Sequence, residues 1–194
     1  MRPRFLPAAR RAFDKAPRLA GHLTGDERGT TAIEFGIVAL PFLMFMFGVI
    51  GVGMHFFTIN TVEHATEAAA RKIRTGQAQT AGMTVGEFKQ SICDEATSFI
   101  ECNANLQVHI QHAAEWSGIS PQACKDGSNL AVAAGAAASP LSDLSGEESE
   151  AVLITVCYKW DLPAAIPFIT LGDPDLGGAA IIQAATTFRT EPYQ

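Results

Sequence analysis

The residues of this chain with most chemical scope are its four cysteines, its five histidines and one carboxylate at the edge of an apolar stretch. Cys93, Cys102, Cys124 and Cys157 form an even set, which in an oxidising compartment reads as two disulfides. Zinc is the competing chemistry, but no two cysteines stand two to four residues apart as zinc knuckles require. Three connectivities are open to four cysteines. The expectation is Cys93–Cys102, a short closure of 102 − 93 = 9 residues between a helix end and a strand entry, with Cys124–Cys157 pinning a long loop onto a strand. His109 and His112 lie three apart in strand-like sequence, so they point to opposite faces and make poor joint metal ligands. His55 and His64 are single and read as interfacial or solvated. The acids of Gly146-Glu147-Glu148-Ser149-Glu150 read as a solvated run without the spacing of a calcium loop. No phosphate loop, nucleophile elbow or HExxH helix is present. A membrane-bound hydrolase would lack a nucleophile–base pair, and the expectation is a structural part with no catalytic residue, cofactor or metal.

Charge and hydropathy say where such a part would sit. Residues 1–28 hold seven basic side chains against three acids, and the remaining seven basic and seventeen acidic residues leave the rest at −10. With no basic patch beyond the head, nucleic acid is not an expected partner. Phe35 to Met54 carries no formal charge over twenty residues, about the number that spans a bilayer core of roughly 30 Å as a helix. A basic flank stays on the cytoplasmic side. The leader is therefore expected inside and residues 60–194 outside, where the cysteines meet an oxidising compartment. No A-x-A-like cleavage site follows the apolar run, which continues His55, Phe56, Phe57, Thr58, Ile59, Asn60.

At the near edge of the run stands Arg28-Gly29-Thr30-Thr31-Ala32-Ile33-Glu34-Phe35. A glycine followed five residues later by a glutamate, against an apolar helix, resembles the processing site of type IV pilins. The resemblance implies a prepilin peptidase cutting after Gly29, Thr30 as the mature amino terminus, and Glu34 neutralising the terminal amine of a neighbouring subunit. An intramembrane carboxylate costs on the order of 2.5–3.5 kcal/mol at the bilayer centre and less at the edge, so its pairing would fix register. The competing structural role is a capping box, Thr31-x-x-Glu34.

Two further stretches narrow the resemblance: Asn60 through Gln79, and the C-terminal Phe188-Arg189-Thr190-Glu191-Pro192-Tyr193. With Ala32-Ile33-Glu34-Phe35 they look like the TadE-like family of pseudopilins of the tight-adherence (Tad, Flp-type) pilus apparatus. That family implies other pilin-like subunits, Tad assembly proteins and inner-membrane lipid as partners. It implies a single-pass inner-membrane protein, with its domain periplasmic, that serves pili used in surface adhesion. An uncut membrane anchor acting as scaffold or adhesive module is the alternative, prompted by a twenty-nine-residue leader containing Pro3, Pro7 and Pro17.

The elements follow from periodicity. The expected organisation is a leader at 1–29, a transmembrane helix at 30–59 whose end includes Phe35 as an assembly residue, a helical extension at 60–76 and an extracytoplasmic α+β domain at 77–194. Glu67–Arg71 supports the extension as an i,i+4 pair, and Gly76 stops it. Thr84-x-x-Glu87 caps a second helix with Phe88, Ile92, Ala96 and Phe99 as its apolar stripe. Alternation predicts a strand over 105–111, a second over Ala151–Trp160 with Val152 to Trp160 on one face, and a third over Ala179–Arg189. Residues 114–150 read as a long Ala/Gly/Ser-rich loop tethered by Cys124, with room for a short helix. Pro163, Pro167 and Asp173-Pro174 mark a connecting loop. The fold class is α+β: a long helix, a short helix and a small antiparallel sheet.

Overall fold

The computed structural model describes residues 29–96, 100–133, 135, 137–165 and 171–192. The basic leader before Gly29, Phe99, Pro167 and Tyr193 lie outside the described residues. The chain divides into two units, Met1–Met46 and Phe47–Gln194. In the first, a tight turn at Gly29 leads into helix α1 (Thr30–Arg74), and every described residue up to Met46 is exposed except Ala39. The helix is unbroken at Pro41, although proline brings no N–H for the carbonyl one turn back.

In the second unit α1 acquires a buried face. Thr58, Val62, Ala65, Thr66, Ala69, Ala70 and Ile73 are buried at the three- and four-residue spacing of one helical side. The small side chains among them keep this face narrow where it enters the core. Hydroxyls along α1 bond back into it, Thr58 to the Met54 carbonyl at 2.8 Å and Thr66 to Val62 at 2.7 Å, so they are satisfied without outside partners. Gly76 ends the helix as expected: its φ of 72° is left-handed, a conformation glycine adopts without a Cβ penalty.

A single turn at Gln77–Thr80 precedes α2 (Val85–Glu95), whose capping box forms in full. Thr84 Oγ1 accepts from the Glu87 N–H at 3.2 Å, and the Glu87 carboxylate accepts from the Thr84 N–H at 2.8 Å. These bonds hold the Glu87 carboxyl below its ordinary range. The next two orphan donors are also taken. Val85 N–H donates to the Ser139 carbonyl at 3.0 Å and Gly86 N–H to Ala137 at 2.8 Å, so the helix start holds down a distant part of the 114–150 excursion.

The main sheet is antiparallel in the order β1 (Leu106–Ala113), β4 (Ala151–Trp160), β5 (Ala180–Arg189). Val108, Ile110, Val152, Ile154, Val156, Ile182 and Ala184 join α1 and α2 in one hydrophobic core. β4 is central, and the sequence expectation of one apolar face is incomplete: Ala151, Leu153, Thr155 and Cys157 on its other face are buried as well. The cover is the 114–150 segment. It is more ordered than a plain loop, containing a hairpin of β2 (Lys125–Asp126) with β3 (Asn129–Leu130) and a helical turn at Ser142–Ser145. Disulfides join Cys93 to Cys102 and Cys124 to Cys157, with Cα separations of 5.8 and 5.4 Å.

Candidate functional site

The residues singled out at the head of α1 sit in the open. Gly29 is exposed, and a side chain added there would meet nothing within 4 Å. Thr30 opens the helix and Thr31 is already inside it. A capping box needs its threonine outside helical geometry. Among the described residues no bond links Thr31 to Glu34, in contrast to the full set at Thr84 and Glu87. Glu34 is therefore exposed with its carboxylate free of that structural duty. Phe35 beside it is 74% exposed.

Beyond them the helix shows apolar side chains in every direction, including Ile37, Val38, Phe42, Phe45 and Phe47. A helix apolar all round is stable only in lipid or among other helices. By length and composition α1 is a candidate membrane anchor.

At its other end α1 is locked to the chain terminus. The Glu191 N–H donates to the Arg74 carbonyl at 2.9 Å, and Arg74 Nε pairs with Glu191 Oε1 at 3.0 Å. Thr190 is 2% exposed; its hydroxyl donates to the Glu147 carbonyl at 2.7 Å and accepts from the Glu150 N–H at 3.1 Å. The C-terminal motif thus acts as a clasp on the stalk, a role the sequence did not disclose because its partners lie 117 and 43 residues away. Among the described residues, the ion pair at this helix end is that clasp and not the expected Glu67–Arg71 pair.

The histidines part company. His109 is buried, and burial holds its imidazole below the ordinary value, opposed by the nearby Ala131 backbone. Its Nε2 and the hydroxyl of its cross-strand neighbour Thr155 are buried with no hydrogen-bond partner among the described residues. His112 lies on the opposite face and meets Glu150 at 2.8 Å. The Glu150 carboxyl is held low by the Glu147 N–H first and by His112 second. Their separation across the sheet fits the sequence reading, and the burial of His109 follows from the excursion lying over that face.

An open cleft of about 750 Å³ is lined by His55, Lys125, Asp173 and Gln183 among others. Its charges serve internal pairing. Lys125 Nζ bonds Asp173 and, at 3.0 Å, Asp175, contacts that raise its pKa and lower that of Asp173. This clasp ties the β2–β3 hairpin to the turn before β5. No sequence signal marks it, since its members are 48 and 50 residues apart. His55 stacks on Trp160 at 5.1 Å between ring centroids.

Residues 29–71 match the family model described as TadE-like protein. No curated protein and no solved structure matches the chain. The matched segment takes in the Gly29–Phe35 head, the apolar run and the turns of α1 that follow it.

Proposed function

We propose that this chain, whose residues 29–71 are TadE-like and associate it with the Tad pilus apparatus, is a pseudopilin or minor pilin that helps start, cap or assemble the pilus. The observation that carries the reading is the coincidence of three features in the matched segment: an exposed Gly29–Thr30 junction, an exposed Glu34 with no capping role, and a helix apolar on all sides. The basic leader stays in the cytoplasm and the disulfide-bonded unit lies outside, in the periplasm. The prepilin peptidase cuts after Gly29. The freed helix then leaves the lipid side by side with those of other pilin-like subunits, exchanging lipid contacts for packing. Glu34 takes the terminal amine of a neighbouring Thr30, and that pair offsets the cost of a carboxylate at the bilayer edge only when the helices are in register. The matched family is structural rather than enzymatic, and the Lys125 and Asp173 charges of the second unit's cleft are engaged in holding the fold.

Mass spectrometry of the membrane-bound protein tests this. The expected amino terminus is Thr30 in cells with the peptidase, and Gly29→Phe leaves the leader attached. An intact leader on all of the wild-type protein favours the second reading, an uncut anchor with its folded unit as scaffold or adhesive module, which Pro3, Pro7 and Pro17 ahead of the apolar helix motivate.

A further inference from the structure

Beyond the apolar run, α1 turns one stripe to solvent. Asn60, Glu63, His64, Glu67, Arg71 and Arg74 are all exposed and recur at three- and four-residue spacing, the geometry of a single helix face. The face opposite is buried in the core. The stripe is divided by charge, Glu63 and Glu67 in its first half and Arg71 and Arg74 in its second. Among the described residues its only ion pair is Arg74–Glu191, about half exposed at both ends. Glu63, Glu67 and Arg71 are in none.

We infer that this stripe is a docking surface for a second copy of the chain lying parallel in the same membrane, shifted along the helix so that Glu63 and Glu67 of one copy meet Arg71 and Arg74 of the next. The two separations nearly coincide, 71 − 63 = 8 and 74 − 67 = 7 residues. One shift of about 11 Å, at 1.5 Å per residue, therefore brings both pairs together. Parallel copies without the shift would set acid against acid and arginine against arginine, a juxtaposition that costs energy. An antiparallel pair would also match the charges, but two copies inserted by their N-terminal helices into one membrane run parallel. Helix-dipole compensation accounts for arginines near the end of α1. It does not account for Glu63 and Glu67 sharing their stripe, 74 − 63 = 11 and 74 − 67 = 7 residues before the end of the helix. The contact is heterologous: each copy offers its acidic half to one neighbour and its basic half to another, so the array extends instead of closing on a pair.

The inference rests on the membrane and assembly reading above, and its test is scored without reference to pili. Full-length protein in its native membrane would carry a photo-crosslinking residue in place of the exposed His64, with two epitope tags marking separate copies. The expected result is a cross-link to about residues 71–74 of the other copy. Glu63→Lys/Glu67→Lys alone should cut the cross-linked yield at least fivefold, and Arg71→Glu alone should do the same. Co-expressing the two variants should restore a dimer, because one copy retains the native basic half and the other the native acidic half. Non-reducing electrophoresis showing both disulfides formed in each variant excludes misfolding as the cause. Unchanged yield in the folded variants, or cross-links to residues 60–67 of the other copy, would overturn the proposal. A strain that makes no pili yet gives the shifted cross-link supports the surface and counts against the assembly role alone.

Discussion

Thr190→Val is the cleanest probe of the clasp that holds the chain terminus to the stalk. Valine matches threonine closely in shape, so the change removes a hydroxyl and little else. That hydroxyl is buried, with its residue 2% exposed, and serves Glu147 and Glu150 on the neighbouring turn at 2.7 and 3.1 Å. Removing it leaves a carbonyl and an N–H in a shielded place with poorer partners, at a cost of about 1–3 kcal/mol. The backbone bonds from Thr190 N–H to Glu150 and from Glu191 N–H to Arg74 remain, so the terminus should loosen without coming away. For a protein of this size each kcal/mol moves Tm by roughly 2–4 °C, so the middle of the range corresponds to a fall of about 4–8 °C. Thermal unfolding of the full chain in detergent, followed by near-ultraviolet circular dichroism, reads this directly. Thr190→Ser keeps the hydroxyl and should fall less. A valine variant melting within a degree of wild type would refute the reasoning, because it would mean that water replaces the hydroxyl freely.

Three other outcomes follow from the same structure. Cys124→Ala should leave the 114–150 excursion open to protease and destabilise by about 2–4 kcal/mol; a variant as resistant as wild type in limited proteolysis would show that the Lys125–Asp173 clasp suffices. Glu34→Gln should insert in the membrane at wild-type level, since the apolar run is untouched, while pilus output falls at least tenfold; normal output counts against the amine pairing. Burial holds the His109 imidazole below its ordinary value of about 6.5, so the unfolded chain takes up the proton first as pH falls. The contribution of neutral His109 is whole above that pH and is lost as pH drops through the folded value. His109→Gln should flatten this part of the pH–stability curve in urea titrations, and an unchanged slope would assign it to another group.

Much of this was written locally. The α+β class, the long apolar helix, its stop at Gly76, the Thr84–Glu87 capping box and the three strands all rest on signals a few residues long. The strand limits shifted by only one or two residues, from 105–111 to Leu106–Ala113 and from 179 to Ala180 at the start of the third. The Gly29–Glu34 spacing and the TadE-like resemblance were equally legible, because a helix edge and its flanking charges are contiguous in sequence.

The tertiary structure decided what depends on closure between distant segments. Burial of both faces of β4, and with it of His109, follows from the excursion folding across the sheet, whereas alternation within a strand reports only one covered face. The Lys125–Asp173–Asp175 clasp, the Glu191 latch on Arg74, and the donors of α2 bonding Ala137 and Ser139 join groups 48 to 117 residues apart. Helix and strand periodicities decay within a few turns, and a charge in sequence does not name its partner. What the sequence by itself determined was the elements and one apolar face of each; that β4 is covered on both faces, and by which residues, was left to the packing, because only there do side chains far apart in the chain come within bonding distance.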